Sequence, residues 1–106
     1  MDNVKTVRQE EIEAAAMCLG VKNYEIWDYE DYFMEITPER MERLVKKIRE
    51  VRPHHILSHG PRDAFNPDHE TVFKYVFDAS VQSTSNGVRI EGYPSVKQTR
   101  LFGFEP

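Results

Sequence analysis

The sequence predicts an α/β fold, a parallel sheet of about three strands with crossover helices, in the order α-β-α-β-α-β. Three observations carry this. Helical and strand-like apolar patterns alternate along the 106 residues, the pattern of βαβ units. Two helix starts share one signature, a polar cap residue followed by proline, at Thr37-Pro38 and Asn66-Pro67. A short apolar-centred run at 54–58 leads directly into a polar loop, as strands do at the ligand-binding edge of open sheets.

The elements follow in order. Residues 4–19 read as a helix because Glu10, Glu11, Glu13 and Ala14-Ala15-Ala16 are good helix formers. Val4, Val7, Ala15 and Leu19 are spaced for one face, Cys18 reads as a small core residue, and Gly20 is a C-terminal stop. Tyr24 to Trp27 is the first strand candidate, and the acidic, aromatic stretch 28–35 reads as a loop. In the second helix Thr37 caps, Pro38 takes the first position, and Ile36 and Met41 are placed for a hydrophobic staple. Met41, Leu44, Val45, Ile48 and Val51 form its apolar stripe, while Arg40, Glu42, Lys46, Lys47 and Glu50 form a solvated face. Pro53 ends it. Residues 54–58 are the second strand. The third helix starts after Asn66, turns Val72, Phe73, Val76 and Phe77 inward, and fades near Ser80. Residues 82–92 read as a loop and 100–104 as the last strand.

Three parallel strands with two bare edges make a poor domain by themselves, so residues 1–106 read as one partial domain of a larger fold. The formal net charge of −4 and the lack of a basic stripe argue against a nucleic-acid partner. No apolar run approaches the roughly 18 residues of a membrane span, and the polar N-terminal stretch lacks the pattern of a signal peptide. The single cysteine cannot form an internal disulfide. A reducing, cytoplasmic setting fits these features.

The chemistry gathers between Pro53 and His69, where His59, Asp63, Asn66, Asp68 and His69 follow the second strand. A neutral imidazole such as His69 is a common zinc ligand. A structural reading stands beside it, with Asn66 as N-cap, Asp68 favoured by the helix dipole and His69 a surface or packing histidine. His54 and His55 are adjacent and would point to opposite faces of a strand, which makes them structural. His59, at the strand end, is the better candidate. The chain has no Gly-rich phosphate loop, CxxC pair or GxSxG elbow.

In combination, these residues resemble the LmbE/PIG-L family. The resemblance rests on Arg8-x-x-Glu11 with Ala15 and Leu19-Gly20, on Asp31 in the acidic-aromatic loop, on Arg52-Pro53, and on LSHGPRDAFNPDH. It covers residues 3–77, and the terminal FGFEP more loosely. It implies a partial Rossmann-like domain, truncated at both ends, from an enzyme that activates water with Zn2+. The default activity is N-deacetylation of N-acetylglucosamine conjugates. It also implies that His69 is a metal ligand and that Asp68 and Asn66 are catalytic. Arg8, Asp31, His59 and Asp63 would lie on the substrate side.

Two departures from the family pattern matter. Asn66 stands where most deacetylases have a histidine. With the Phe-Glu-Pro segment, that is more similar to the branch containing 4-oxalomesaconate hydratase, which hydrates an unsaturated carboxylic acid. The family's H-P-D-D-type segment is also missing, so zinc binding by this chain alone is expected to be weak or absent and the chain alone inactive. A non-catalytic remnant or interaction module, with an exposed sheet edge open to homo-oligomer formation, is the alternative expectation.

Overall fold

The structure is a computed structural model that describes residues 2–30, 32–62 and 66–104, and for residues 2–6 the backbone only. It contains α1 (Asp2–Leu19), α2 (Pro38–Val51), β1 (His55–His59), α3 (Pro67–Ser83) and β2 (Arg100–Phe104). The two strands pair in parallel, with His55 opposite Arg100 and His59 opposite Phe104. The α3 helix and the 84–99 segment carry the chain from one strand to the other.

The second and third helices lie where the sequence puts them. Thr37 Oγ1 accepts the Arg40 N–H at 3.2 Å, so the predicted cap is made. Arg52 closes the C-terminus of α2 in the left-handed region and donates to Ile48 O at 2.8 Å. Gly20 ends α1 with φ +73. The Gly20 N–H reaches Met17 O and the Val21 N–H reaches Ala16 O, the pairing of a glycine-closed helix end.

The core lies between α2 and α3. Val45 and Ala79 are fully buried and Ile48 nearly so, with Met41, Leu44, Ile56, Val88, Ile90 and Val96 packed around them. Ala79 is small enough to let the two helices approach closely. The α3 helix runs to Ser83, three residues past the expected fade, and buries Tyr75, Ala79 and Ser83. Phe77, expected inward, is 48% exposed, because α2 meets the face one position round the helix. Val51 is also exposed, at the last turn of α2 beyond the helix contact.

Two expectations fail more clearly. Tyr24 to Trp27 is not a strand among the described residues. It is held against α2 by side chains instead of a backbone ladder. The Glu25 carboxylate pairs with Lys47, and the Arg43 guanidinium lies 4.0 Å from the Trp27 ring centroid. The α1 helix buries Ala16 but leaves Val7, Leu19 and Cys18 exposed, so Cys18 is not a core residue. Ile12 and Met17 are exposed as well, so the described apolar residues of α1 make no continuous buried stripe; the Val4 side chain lies outside the described residues.

A charged residue that the apolar pattern passes over organises the far side of the core. Arg49 is 4% exposed. Its Nε donates to Ser83 O at 3.1 Å and its Nη1 to Tyr93 O at 3.0 Å. Its Nη2 donates to Gln82 O at 3.3 Å and Ser85 O at 3.0 Å. One guanidinium thereby ties α2 to the end of α3 and to the loop that leads to β2. No described helix is long and apolar enough to cross a membrane.

Candidate active site

The site forms where β1 ends and α3 begins. The Gly60 N–H donates to Phe104 O at 2.6 Å, carrying the parallel pairing one step past β1. A side chain at Gly103 would come within 3.0 Å of Gly60 Cα, so glycine is required where the two backbones close. His59 is the last residue of β1. Its ring stacks on His69 with centroids 3.6 Å apart and planes 6° from parallel, and Phe104 packs beside it at 5.1 Å.

Asn66 stands in the cap position of α3 but makes no side-chain cap. Its Nδ2 lies 3.1 Å from His69 Nε2, so the amide is directed at the imidazole and not at the helix backbone. Asp68, in the first turn of α3, accepts the Tyr32 N–H at 2.6 Å and the Met34 N–H at 3.0 Å, one on each carboxylate oxygen. The positive end of the helix favours an anion there.

Asn66, Asp68 and His69 line a cleft of about 610 Å³ together with Arg8, Trp27, Tyr29 and Tyr32. Tyr75, at its base, donates its hydroxyl to Arg40 O, and burial pushes its phenol pKa up. The aromatic wall is held to α2 by Arg40. Its guanidinium lies 4.2 Å from the Tyr29 centroid and grips Glu30 through two bonds of 2.8 and 2.7 Å.

That grip, helped by the Glu35 N–H, holds the Glu30 carboxyl down to about 2. A depressed carboxylate contributes stability above its unfolded pKa of 4.5 and loses it as pH falls towards 2. Trp27 emission is therefore expected to change between those limits, and Glu30→Gln is expected to remove that component. An identical acid titration of the two proteins would count against the anchor.

Of the residues singled out in the sequence, the structure brings Arg8, Asn66, Asp68 and His69 to one cleft and places His59 against His69. Asp31 and Asp63 lie outside the described residues. Trp27, Tyr29 and Tyr32 were missed as lining residues. The density of aromatics in the 27–33 stretch was their only signal.

Among the described residues, the donors at this cleft do not by themselves complete a zinc site. A metal in the plane of one stacked imidazole lies well out of the plane of the other, so His59 and His69 cannot both donate to one ion as placed. Both Asp68 oxygens hold backbone amides. The described residues contain no group of three ligand side chains that could hold an ion; as placed, the stacked pair presents one imidazole to an ion.

The chain resembles several known proteins. The family model described as "PIG-L: GlcNAc-PI de-N-acetylase" matches residues 1–80. The 4-oxalmesaconate hydratase of Pseudomonas putida is 33% identical over 103 residues, 97% of this chain and 39% of that protein. A probable N-acetyl-alpha-D-glucosaminyl L-malate deacetylase 2 of Bacillus anthracis is 29% identical over 80 residues, 74% of this chain and 35% of the relative. The crystal structure of GalB, the 4-carboxy-2-hydroxymuconate hydratase of Pseudomonas putida KT2440, superposes with a TM-score of 0.90 at 31% identity. That match covers 99% of this chain and 43% of GalB. The conserved protein TT1542 of Thermus thermophilus shares the fold, with a TM-score of 0.81 at 23% identity over 93% of this chain and 44% of its own. The chain thus spans about two fifths of the length of the relatives it matches. With the family model covering most of its length and the fold of GalB reproduced over nearly all of it, this chain belongs to the PIG-L (LmbE) family.

Proposed function

We propose that this chain forms one wall of the active cleft of a hydratase, which adds water across the activated C=C bond of an unsaturated polycarboxylate. The observation that carries the reading is the Asn66 amide 3.1 Å from the His69 imidazole. By resemblance, that place belongs to a second imidazole in the deacetylases. A carboxamide cannot give up a proton near neutral pH, so it cannot protonate an amine leaving group as amide hydrolysis requires. Hydration has no leaving group. Hydroxide adds to one alkene carbon and a proton to the other, and the developing charge spreads onto the substrate's own conjugated carboxylate. Arg8 would meet that carboxylate with a planar pair of donors.

The reach of the similarity supports the same reading. The likeness to the Pseudomonas putida hydratase covers 97% of the chain, whereas the likeness to the deacetylase covers 74%. In this proposal His69 is the chain's contribution to a zinc site, and the other ligands come from outside the described residues.

The test is a hybrid in which residues 1–106 replace the matching segment of the Pseudomonas putida hydratase. The expected result is zinc-dependent loss of the near-ultraviolet absorbance of an unsaturated tricarboxylate, with no acetate released from an N-acetylglucosaminyl malate. Acetate release without hydration would overturn the proposal in favour of deacetylation. A folded hybrid inert on both substrates would overturn it in favour of a non-catalytic module.

A further inference from the structure

The Asp68 carboxylate reaches across 36 and 34 positions of sequence to hold two backbone amides, those of Tyr32 and Met34. Charge-assisted bonds of this kind are roughly twice as strong as neutral ones. The segment they hold has no helix or strand of its own. Tyr32 sits at φ 42, in the left-handed region. A non-glycine residue stays there only where its surroundings over-determine the backbone. Its side chain is 78% exposed, so burial does not set its direction, and the two amide bonds fix the backbone that carries it. Tyr32, Trp27 and Tyr29 line the same cleft. One ring face of Trp27 is covered by Arg43 and one of Tyr29 by Arg40, which stiffens that wall; the Arg40 charge is paired with Glu30, which also lines the cleft.

We propose that Asp68 is a positioning residue, whose carboxylate pins the 32–34 backbone so that Tyr32 completes, with Trp27 and Tyr29, an aromatic slot for the flat face of a conjugated dicarboxylate. This rests on the hydratase reading for the substrate class and deepens it. The Trp27 and Tyr29 ring planes stand 64° apart, so a planar diene lies flat on one ring and meets the other edge-on, while its saturated counterpart is puckered and touches them at a few atoms. The slot therefore selects for unsaturation before any chemistry. It gives Asp68 a task distinct from the catalytic one the family resemblance implies.

The chain itself provides the probe. Trp27 is its single tryptophan and lines the slot. Its emission is expected to be quenched saturably by muconate, the plain planar dienedioate, with adipate, the saturated diacid, about tenfold weaker, the size of one aromatic contact. Asp68→Asn and Tyr32→Ala are each expected to bring the muconate-to-adipate ratio close to one. The double variant should be no worse than either single one, because both remove the same positioned ring. Tyr32→Phe should keep the selectivity.

Equal binding of the two diacids by the unaltered chain would overturn the slot. Additive losses in the double variant, or an Asp68→Asn chain with full selectivity, would overturn the role of Asp68. Should Asp68→Asn fail to fold, amide exchange in the unaltered chain decides. The Tyr32 and Met34 amides are expected to be protected, and rapid exchange of both overturns the clamp. A hybrid that does not hydrate while the chain keeps its planar selectivity would sink the hydratase reading and leave the slot standing. Hydration without that selectivity would do the reverse.

Discussion

Arg49→Met is expected to destabilise the chain by about 3 kcal/mol, the scale for removing a buried, multiply bonded charge. Methionine keeps most of the length and volume of arginine, so the loss is electrostatic and not a cavity. Four backbone carbonyls, on Gln82, Ser83, Ser85 and Tyr93, accept from this one guanidinium. Those of Gln82 and Ser83 belong to the last turn of α3, whose carbonyls have no partner within the helix and carry the negative end of its dipole. Gln82 O, Ser83 O and Ser85 O also accept the Ser85, Val96 and Val88 amides, so what Arg49→Met removes is the set of charge-assisted bonds, each worth about 1.5–3 kcal/mol. Arg49→Lys restores the charge but not the fork of donors, so it should fall between the two. Urea unfolding followed by far-ultraviolet circular dichroism measures the series. A methionine variant within about 1 kcal/mol of the parent would show that the carbonyls find water and that Arg49 is not the tie between α2 and α3.

In the hybrid hydratase, His69→Ala is expected to lower the hydration rate at least about 100-fold, the lower bound for an imidazole at the reacting centre. His59→Ala should have a smaller effect. The two rings stack at 3.6 Å, but only His69 lines the cleft and meets the Asn66 amide. His59 supports it from behind, at the end of β1. Initial rates at saturating substrate, beside a zinc titration of each variant, separate the two roles. If His69→Ala stays within about threefold of the parent, the assignment of His69 fails, since a group at the reacting centre contributes far more than that.

The parts of this molecule that could be read in advance are those encoded by near neighbours. Thr37-Pro38 and Asn66-Pro67 marked both helix starts, and Gly20 marked the end of α1. The spacing of Met41, Leu44, Val45 and Ile48 gave the buried face of α2. The sequence gathers ligand-type residues after β1, and two of them, Asn66 and His69, meet at the start of α3. The failures share a cause. Arg49 read as one more charge, although four carbonyls more than 30 positions away surround it. Trp27 and Glu25 looked like strand residues, yet they are held by Arg43 and Lys47 through their side chains. Cys18 and Leu19 looked like core residues, and nothing in the described structure covers them.

The sequence by itself determined the class of fold, the starts of α2 and α3, the strand that ends in the polar loop, and the family. Caps, proline stops and apolar periods act within one or two helical turns, and such bonds form in much the same way whatever the rest of the chain does. The tertiary structure decided which charges are buried, which aromatics face the cleft, and what Asp68 holds. Each of those depends on two segments brought together from more than ten positions apart. A backbone amide or carbonyl is the same chemical group at every position, so no residue type announces in advance which one a distant carboxylate or guanidinium will meet.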